Sequence, residues 1–133
     1  MIVLIYGLPS TGKSTLAEQL NNRLNFDRLN GDILREKYND WDFSIEGRLR
    51  QAVRVRDLCQ KNTLVDIVCP LTEMHDIINA DFTILMDTNP DIKYQNTFDL
   101  FQKQEQNNIV ITNFSYCIDN IINKIQGNKS WME

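Results

Sequence analysis

Gly7, Gly12, Lys13 and Ser14 stand at the spacing G-x-x-x-x-G-K-[ST], with Leu8-Pro9-Ser10-Thr11 between the glycines and Thr15 behind them. Glycine allows backbone conformations that a Cβ blocks. The N–H groups from Ser10 to Ser14 can then point into one hollow, at the positive end of a helix that starts there. Pro9 has no N–H but fixes its own φ and stiffens the turn. Such a hollow suits phosphate. Lys13 reaches the β- and γ-phosphates of ATP, and the Ser14 hydroxyl ligates the accompanying Mg²⁺. The nucleotide-binding set is therefore Gly7, Pro9, Ser10, Thr11, Gly12, Lys13, Ser14 and Thr15. At average residue usage this string arises about once in 25,000 positions, which makes a chance match remote in so short a chain.

A second group is Asn30-Gly31-Asp32-Ile33-Leu34-Arg35. Asp32 is expected to face the phosphates, where a carboxylate holds a Mg²⁺-bound water or takes the proton of an acceptor hydroxyl. The same residue type also serves as a helix N-cap. Arg35 lies about one helical turn on, as an anion clamp or as a solvated helix charge. A third group, residues 43–51, leads into the longest helix, with Ser44 as its N-cap. Ile45, Leu49, Ala52, Val53 and Cys59 form one apolar stripe there. Arg48 falls at the stripe's edge, where a base can hold an anionic head group. Arg50 and Arg54 fall on the opposite, solvated face, and Arg56 falls inside the stripe and needs a partner. Phe43 is equally a base-stacking ring or a core residue.

Three further side chains carry chemistry. Asp66 sits inside an apolar strand, first as a charge at a sheet edge and second as a metal contact. Asp87 ends another strand and is a candidate for holding Mg²⁺ through water. His75, the only histidine, is expected to be structural or exposed.

The elements that must position these groups alternate. Strands are expected at 2–6, 26–30, 63–69, 82–87 and 109–112, and helices at 14–24, 33–39, 45–61, 71–79, 95–104 and 116–126. Short connections between alternating elements imply a three-layer α/β fold with about five mostly parallel strands, wound doubly, with ligands beyond the carboxyl ends of the strands. Tyr94, Phe98 and Phe101 fit core spacing, and 127–133 is expected to be a frayed tail. The 133 residues suit one domain, 1–133, and a net charge of −4 argues against a stable nucleic-acid complex. No apolar run reaches the ~20 residues that span a membrane. Three cysteines without C-x-x-C spacing suit reduced thiols in the cytoplasm.

G-L-P-S-T-G-K-S-T, then N-G-D-I-L-R, then D-F-S-I-E-G-R-L-R-Q, then V-C-P resemble adenylylsulfate (APS) kinases over residues 1–77. These are P-loop enzymes that move the γ-phosphate of ATP to the 3′-hydroxyl of adenylylsulfate. The resemblance implies a minimal P-loop kinase with Lys13 and Asp32 as catalytic residues and Ser14 and Asp32 (through water) at Mg²⁺. Asp32, Arg35, Phe43, Arg48, Gln51 and Cys69 become contacts to a small anionic acceptor, with Phe43 stacking on its adenine. A homodimer is left open. The chain also departs from the family. It has Asn30 in place of the first Asp of D-G-D, Gln51 in place of Asn, and Cys69 in place of Ser. It has no counterpart of the basic lid, Lys93 being the only base in 87–101. In this it resembles shortened, phage-type relatives of the family. Two alternatives follow from the missing lid. One is a kinase for a nucleoside, a sugar acid or a nucleic-acid 5′-hydroxyl. The other is a nucleotide-binding regulator without transferase activity.

Overall fold

Ile2-Val3-Leu4-Ile5-Tyr6 has no polar face to offer water, so it forms a strand covered on both sides. In the computed structural model, which describes residues 1–88 and 95–127, this is β1 (Ile2–Tyr6), buried throughout. After it come α1 (Lys13–Leu24), β2 (Asp27–Asn30), α2 (Gly31–Lys37), α3 (Ile45–Leu58) and β3 (Thr63–Ile67). Then come α4 (Thr72–Ile78), β4 (Phe82–Met86), α5 (Gln95–Leu100), β5 (Ile109–Ile111) and α6 (Ile118–Gln126). The five strands lie in the order β2-β3-β1-β4-β5, and every pair is parallel. The three-layer α/β architecture is as expected.

Alternation along β1 sends Val3 and Ile5 to one face and Leu4 and Tyr6 to the other. Val3 and Ile5 meet Leu16 and Leu20 of α1 and Ile122 and Ile125 of α6. Leu4 and Tyr6 meet Ala52 and Val55 of α3 and Met74 and Ile78 of α4. The order places β1 in the centre, so the turn leaving it opens at the middle of the sheet's carboxyl edge.

Several boundaries differ from expectation for local reasons. The Asn30 side chain accepts from the Ile33 N–H, so α2 begins at Gly31, two residues early, and Asp32 sits in its first turn rather than at its cap. β3 stops at Ile67, two residues short of the expected end, and Pro70, which has no N–H to donate, could not have carried the ladder further. The apolar stripe of α3 is also rotated. Its buried residues are Gly47, Arg48, Gln51, Ala52 and Val55, while Ile45 and Val53 are about half exposed. Gly47 causes this, because its missing side chain lets the helix press against the carbonyl of Asp42. A Cβ there would lie 2.2 Å from that oxygen. Arg56 finds its partner in the Ile78 carbonyl, at 3.1 Å.

Asp66 is not at a sheet edge. It lies in β3, between β2 and β1, and is buried. His75 packs edge-on against Tyr6 and bonds the Cys69 carbonyl at 3.1 Å, while the Phe101 ring stacks on Tyr6 with centres 6.1 Å apart. Lys93, Tyr94, the Phe98 side chain and the tail 128–133 lie outside the described residues.

Gly47→Ala gains helix propensity of about 1 kcal/mol but forces backbone apart. Overpacking costs about 1–3 kcal/mol, so the net change should be destabilising. Urea unfolding should show a lower midpoint, and an unchanged midpoint would mean that the 42–47 contact is not tight.

Candidate active site

The turn between β1 and α1 carries its strain where phosphate chemistry needs it. Gly12 has φ 95°, in the left-handed region, and a Cβ on it would lie 2.8 Å from the Phe114 ring. Ser10 takes φ 65° as well. Gly12 caps α1 without a side chain and no acid stands in the first turn, so the helix N-terminus is offered to an anion. The Thr11 hydroxyl donates to the Leu8 carbonyl, and the Thr88 hydroxyl donates to the Thr11 carbonyl, tying the loop to the end of β4.

Lys13 folds its amine onto the Leu8 carbonyl at 2.8 Å. Burial pushes its pKa down to about 8, and the charges of Asp66 and Asp32 partly offset that. Ser14 donates to the Asp66 carboxylate at 3.2 Å and accepts from the Asn30 amide at 3.2 Å. Asn30 also donates to Asp66 at 2.7 Å, and Arg28 grips both oxygens of the same carboxylate at 3.1 and 3.2 Å.

Lys13, Ser14, Asn30 and Asp66 line a cleft of about 710 Å³, and Arg28 is not part of its lining. The loop supplies Pro9, Ser10, Gly12, Lys13, Ser14 and Thr15, and the β2–α2 junction supplies Asn30, Gly31 and Asp32. The end of β3 gives Asp66, Ile67 and Val68. Trp41 and Phe43 come from the loop before α3, Arg48 from α3 and Thr97 from α5.

Arg48 is 2% exposed. Its guanidinium donates to the Phe43 carbonyl at 2.9 Å and the Thr97 hydroxyl at 2.8 Å, and it lies 5.4 Å from the Phe43 ring centre. Among the described residues no carboxylate pairs with it. Burial first, and the nearby Arg35 charge second, push its pKa down. A buried cation that no carboxylate pairs among the described residues, opening onto a cleft, is suited to an anionic ligand.

Phe43 is about half exposed and contacts two arginines, with Arg35 4.5 Å and Arg48 5.4 Å from its ring centre. The ring belongs to the cleft rather than to the core. Arg35 itself does not line the cleft. It is buried and donates to the Asp40 and Asp42 carbonyls at 2.9 and 3.1 Å, bracing the loop that presents Trp41 and Phe43. Arg50 and Arg54, expected on a solvated face, brace the same loop through the Asp40 carboxylate at 2.8 and 2.9 Å. Their hydrogen bonds hold Asp40 well below the usual carboxylate range.

Gln51 and Cys69 are also behind the cleft rather than in it. Gln51 donates to the Gly31 carbonyl at 3.1 Å and accepts from Arg54, so it steadies the backbone that carries Asp32. Cys69 is fully buried, and desolvation pushes its thiol pKa up. Asp87 is paired with Lys103 at 2.9 Å and is not part of the cleft lining.

The sequence does not single out Arg28, Trp41 or Thr97, and it presents Asp66 first as a sheet-edge charge. For two of them a signal exists. Charges inside the strands of a parallel sheet need partners, and Arg28 and Asp66 are one another's.

No protein-family model matches the chain, and no curated protein is significantly similar to it in sequence. Solved structures are. A Mycobacterium tuberculosis APS kinase, solved with AMPPNP and APS, superposes with a TM-score of 0.68 at 21% identity, over 99% of this chain and 97% of that one. A shikimate kinase from Aquifex aeolicus gives 0.68 at 14% identity, over 97% and 98%. A Janibacter sugar kinase gives 0.72 at 10% identity, over 96% and 93%. At these identities the likeness shows the fold, which is that of small P-loop kinases.

Lys13 also carries a stability signature. Its proton is held less tightly in the folded chain than at the ordinary lysine value of 10.5, so unfolding takes up a proton between about pH 8 and that value. Its charge therefore opposes folding fully below about pH 8, and the opposition is relieved as pH rises through the window. Lys13→Met should melt higher than the wild type at pH 7, with the gap closing by pH 10. Parallel melting curves at the two pH values would contradict this.

Proposed function

We propose that this chain transfers the γ-phosphate of ATP to a hydroxyl of a small anionic acceptor, adenylylsulfate or a molecule of the same chemistry. One observation carries the reading. A single cleft holds a phosphate-binding loop with Lys13 and Ser14, and also Arg48, a buried cation with no carboxylate facing it among the described residues. The first set suits a donor and the second an acceptor. Asp32 lines the same cleft. It is the candidate to orient the acceptor hydroxyl and take its proton as that oxygen bonds to the γ-phosphorus and the bond to the β-phosphate oxygen breaks.

The residues present fit Mg²⁺. Ser14 offers a hydroxyl, and Asp66 lies 3.2 Å behind it to hold a bound water. Among the described residues no group of three acidic, histidine or cysteine side chains could hold a metal ion by itself. When bound, Mg²⁺ supplies charge neutralisation at the phosphates. Asn30 replaces the first acid of the family's D-G-D, but its amide sits 2.7 Å from Asp66. The carboxylate is thus kept in the neighbourhood and supplied by another strand.

Trp41 and Phe43, with ring centres 6.4 Å apart and both about half exposed, favour an acceptor with a planar ring over a sugar acid. Work in the cytoplasm suits the three free thiols and the use of ATP. Among the described residues no helix is long and apolar enough to cross a membrane.

The test is acceptor-dependent ADP release. With ATP, Mg²⁺ and adenylylsulfate the chain should form ADP, and Lys13→Ala should lower kcat by about 10² to 10³-fold, as losing one charge-stabilising donor does. Arg48→Met should lower kcat/KM for the acceptor by about 30-fold or more with ATP affinity unchanged. If ATP binds but neither adenylylsulfate, nucleosides, sugar acids nor 5′-hydroxyl oligonucleotides provoke ADP release, the kinase reading fails and a nucleotide-binding regulator replaces it.

A further inference from the structure

We propose that Arg28 competes with the nucleotide's divalent cation for the Asp66 carboxylate, and so sets how much cation the site demands. The inference rests on the ATP-binding reading above.

One carboxylate oxygen can hold only a few hydrogen bonds. Asp66 Oδ2 already accepts from the Asn30 amide at 2.7 Å, from Arg28 at 3.2 Å and from the Ser14 hydroxyl at 3.2 Å, while Oδ1 accepts from Arg28 Nε at 3.1 Å. The Asp66 side chain is 1% exposed, so water does not share the load. A cation on Ser14 would need that same carboxylate, through a bound water, for its outer contact. It would also bring a second positive charge next to the guanidinium. Like charges this close repel, and burial at the carboxylate strengthens the repulsion.

Arg28 is built to let go. It stands on β2, the edge strand, on the same face as Asn30 two residues on. Its side chain is 29% exposed, and one tip already reaches the Ser14 carbonyl at 3.4 Å. Leaving the carboxylate returns the guanidinium towards solvent, which is mild for a weakly hydrated, always-charged group. Arg28 therefore acts through Asp66, as a positioning residue, and touches neither nucleotide nor acceptor in this scheme.

The experiment titrates a non-hydrolysable ATP analogue into the full chain by calorimetry, across a series of free Mg²⁺ concentrations and in EDTA. The wild type should bind the analogue more tightly as Mg²⁺ rises. In Arg28→Met the Mg²⁺ concentration giving half of that gain should fall about tenfold. Arg28→Lys keeps a charge at the carboxylate and should stay close to the wild type. Arg28→Gln serves in place of Met if thermal unfolding shows that the Met variant is not folded.

An unchanged or increased Mg²⁺ demand in the neutral variants overturns the inference and leaves the ion pair as simple strand packing. Equal shifts in the Lys and Met variants also overturn it, because charge would not be the agent. If the wild type binds the analogue neither with Mg²⁺ nor in EDTA, the proposed function itself falls and the inference with it. Binding without a metal effect overturns the inference alone.

Discussion

A carboxylate inside a parallel sheet has to be fully bonded, and meeting that requirement at Asp66 organises this molecule. The group lies in the second strand from the edge, with almost no contact with water. Leaving a buried charge without its partner costs about 3–5 kcal/mol, a large share of the roughly 5–15 kcal/mol that holds a domain together. The partners that satisfy Asp66 come from different places: Arg28 and Asn30 from β2, and Ser14 from the first turn of α1. Because those bonds converge, the phosphate-binding loop is fastened to the two strands beside it. Asn30 then turns its own oxygen to cap α2, which fixes where Asp32 stands. One buried charge thus sets the relative position of the loop, the Ser14 hydroxyl and Asp32.

The other half of the cleft is organised by arginines in an analogous way. Three of them converge on a short acidic loop. Arg35 takes its carbonyls, and Arg50 and Arg54 take the Asp40 carboxylate. The loop in turn holds Trp41 and Phe43 against the cleft. Arg48, on the same helix as two of these bases, has no carboxylate among the described residues and instead opens on the cleft. On one helix, arginines paired with carboxylates shape the wall, and the arginine that no carboxylate pairs among the described residues is the one proposed to meet an anion.

Much of this was legible in the chain. The glycine-rich string after an apolar run placed the loop, because spacing and residue type there leave few other uses. Alternating apolar periods gave five strands and the helices between them. What stayed hidden depends on contacts between strands. Asp66 looked like an edge charge because nothing local says which strand lies beside which, and Arg28 became meaningful only when the register set Asn30 opposite Asp66. The stripe on α3 is rotated because the missing Cβ of Gly47, which apolar periodicity does not register, lets that side of the helix meet the loop. Arg35, Gln51 and Cys69 sat at family-like spacing yet support the cleft from behind. Spacing along a chain reports a neighbourhood, and the direction of a side chain within it depends on neighbours remote in sequence.

The central claim is that donor and acceptor meet in this one cleft and that a phosphoryl group crosses between them. Phosphorus NMR of the full chain with ATP, Mg²⁺ and adenylylsulfate tests it most directly. The account predicts that the γ-phosphate signal of ATP declines while a phosphomonoester signal on the acceptor grows in step, with ADP and no free phosphate. Release of inorganic phosphate alone, or an unchanged ATP spectrum in the presence of bound nucleotide, would contradict it.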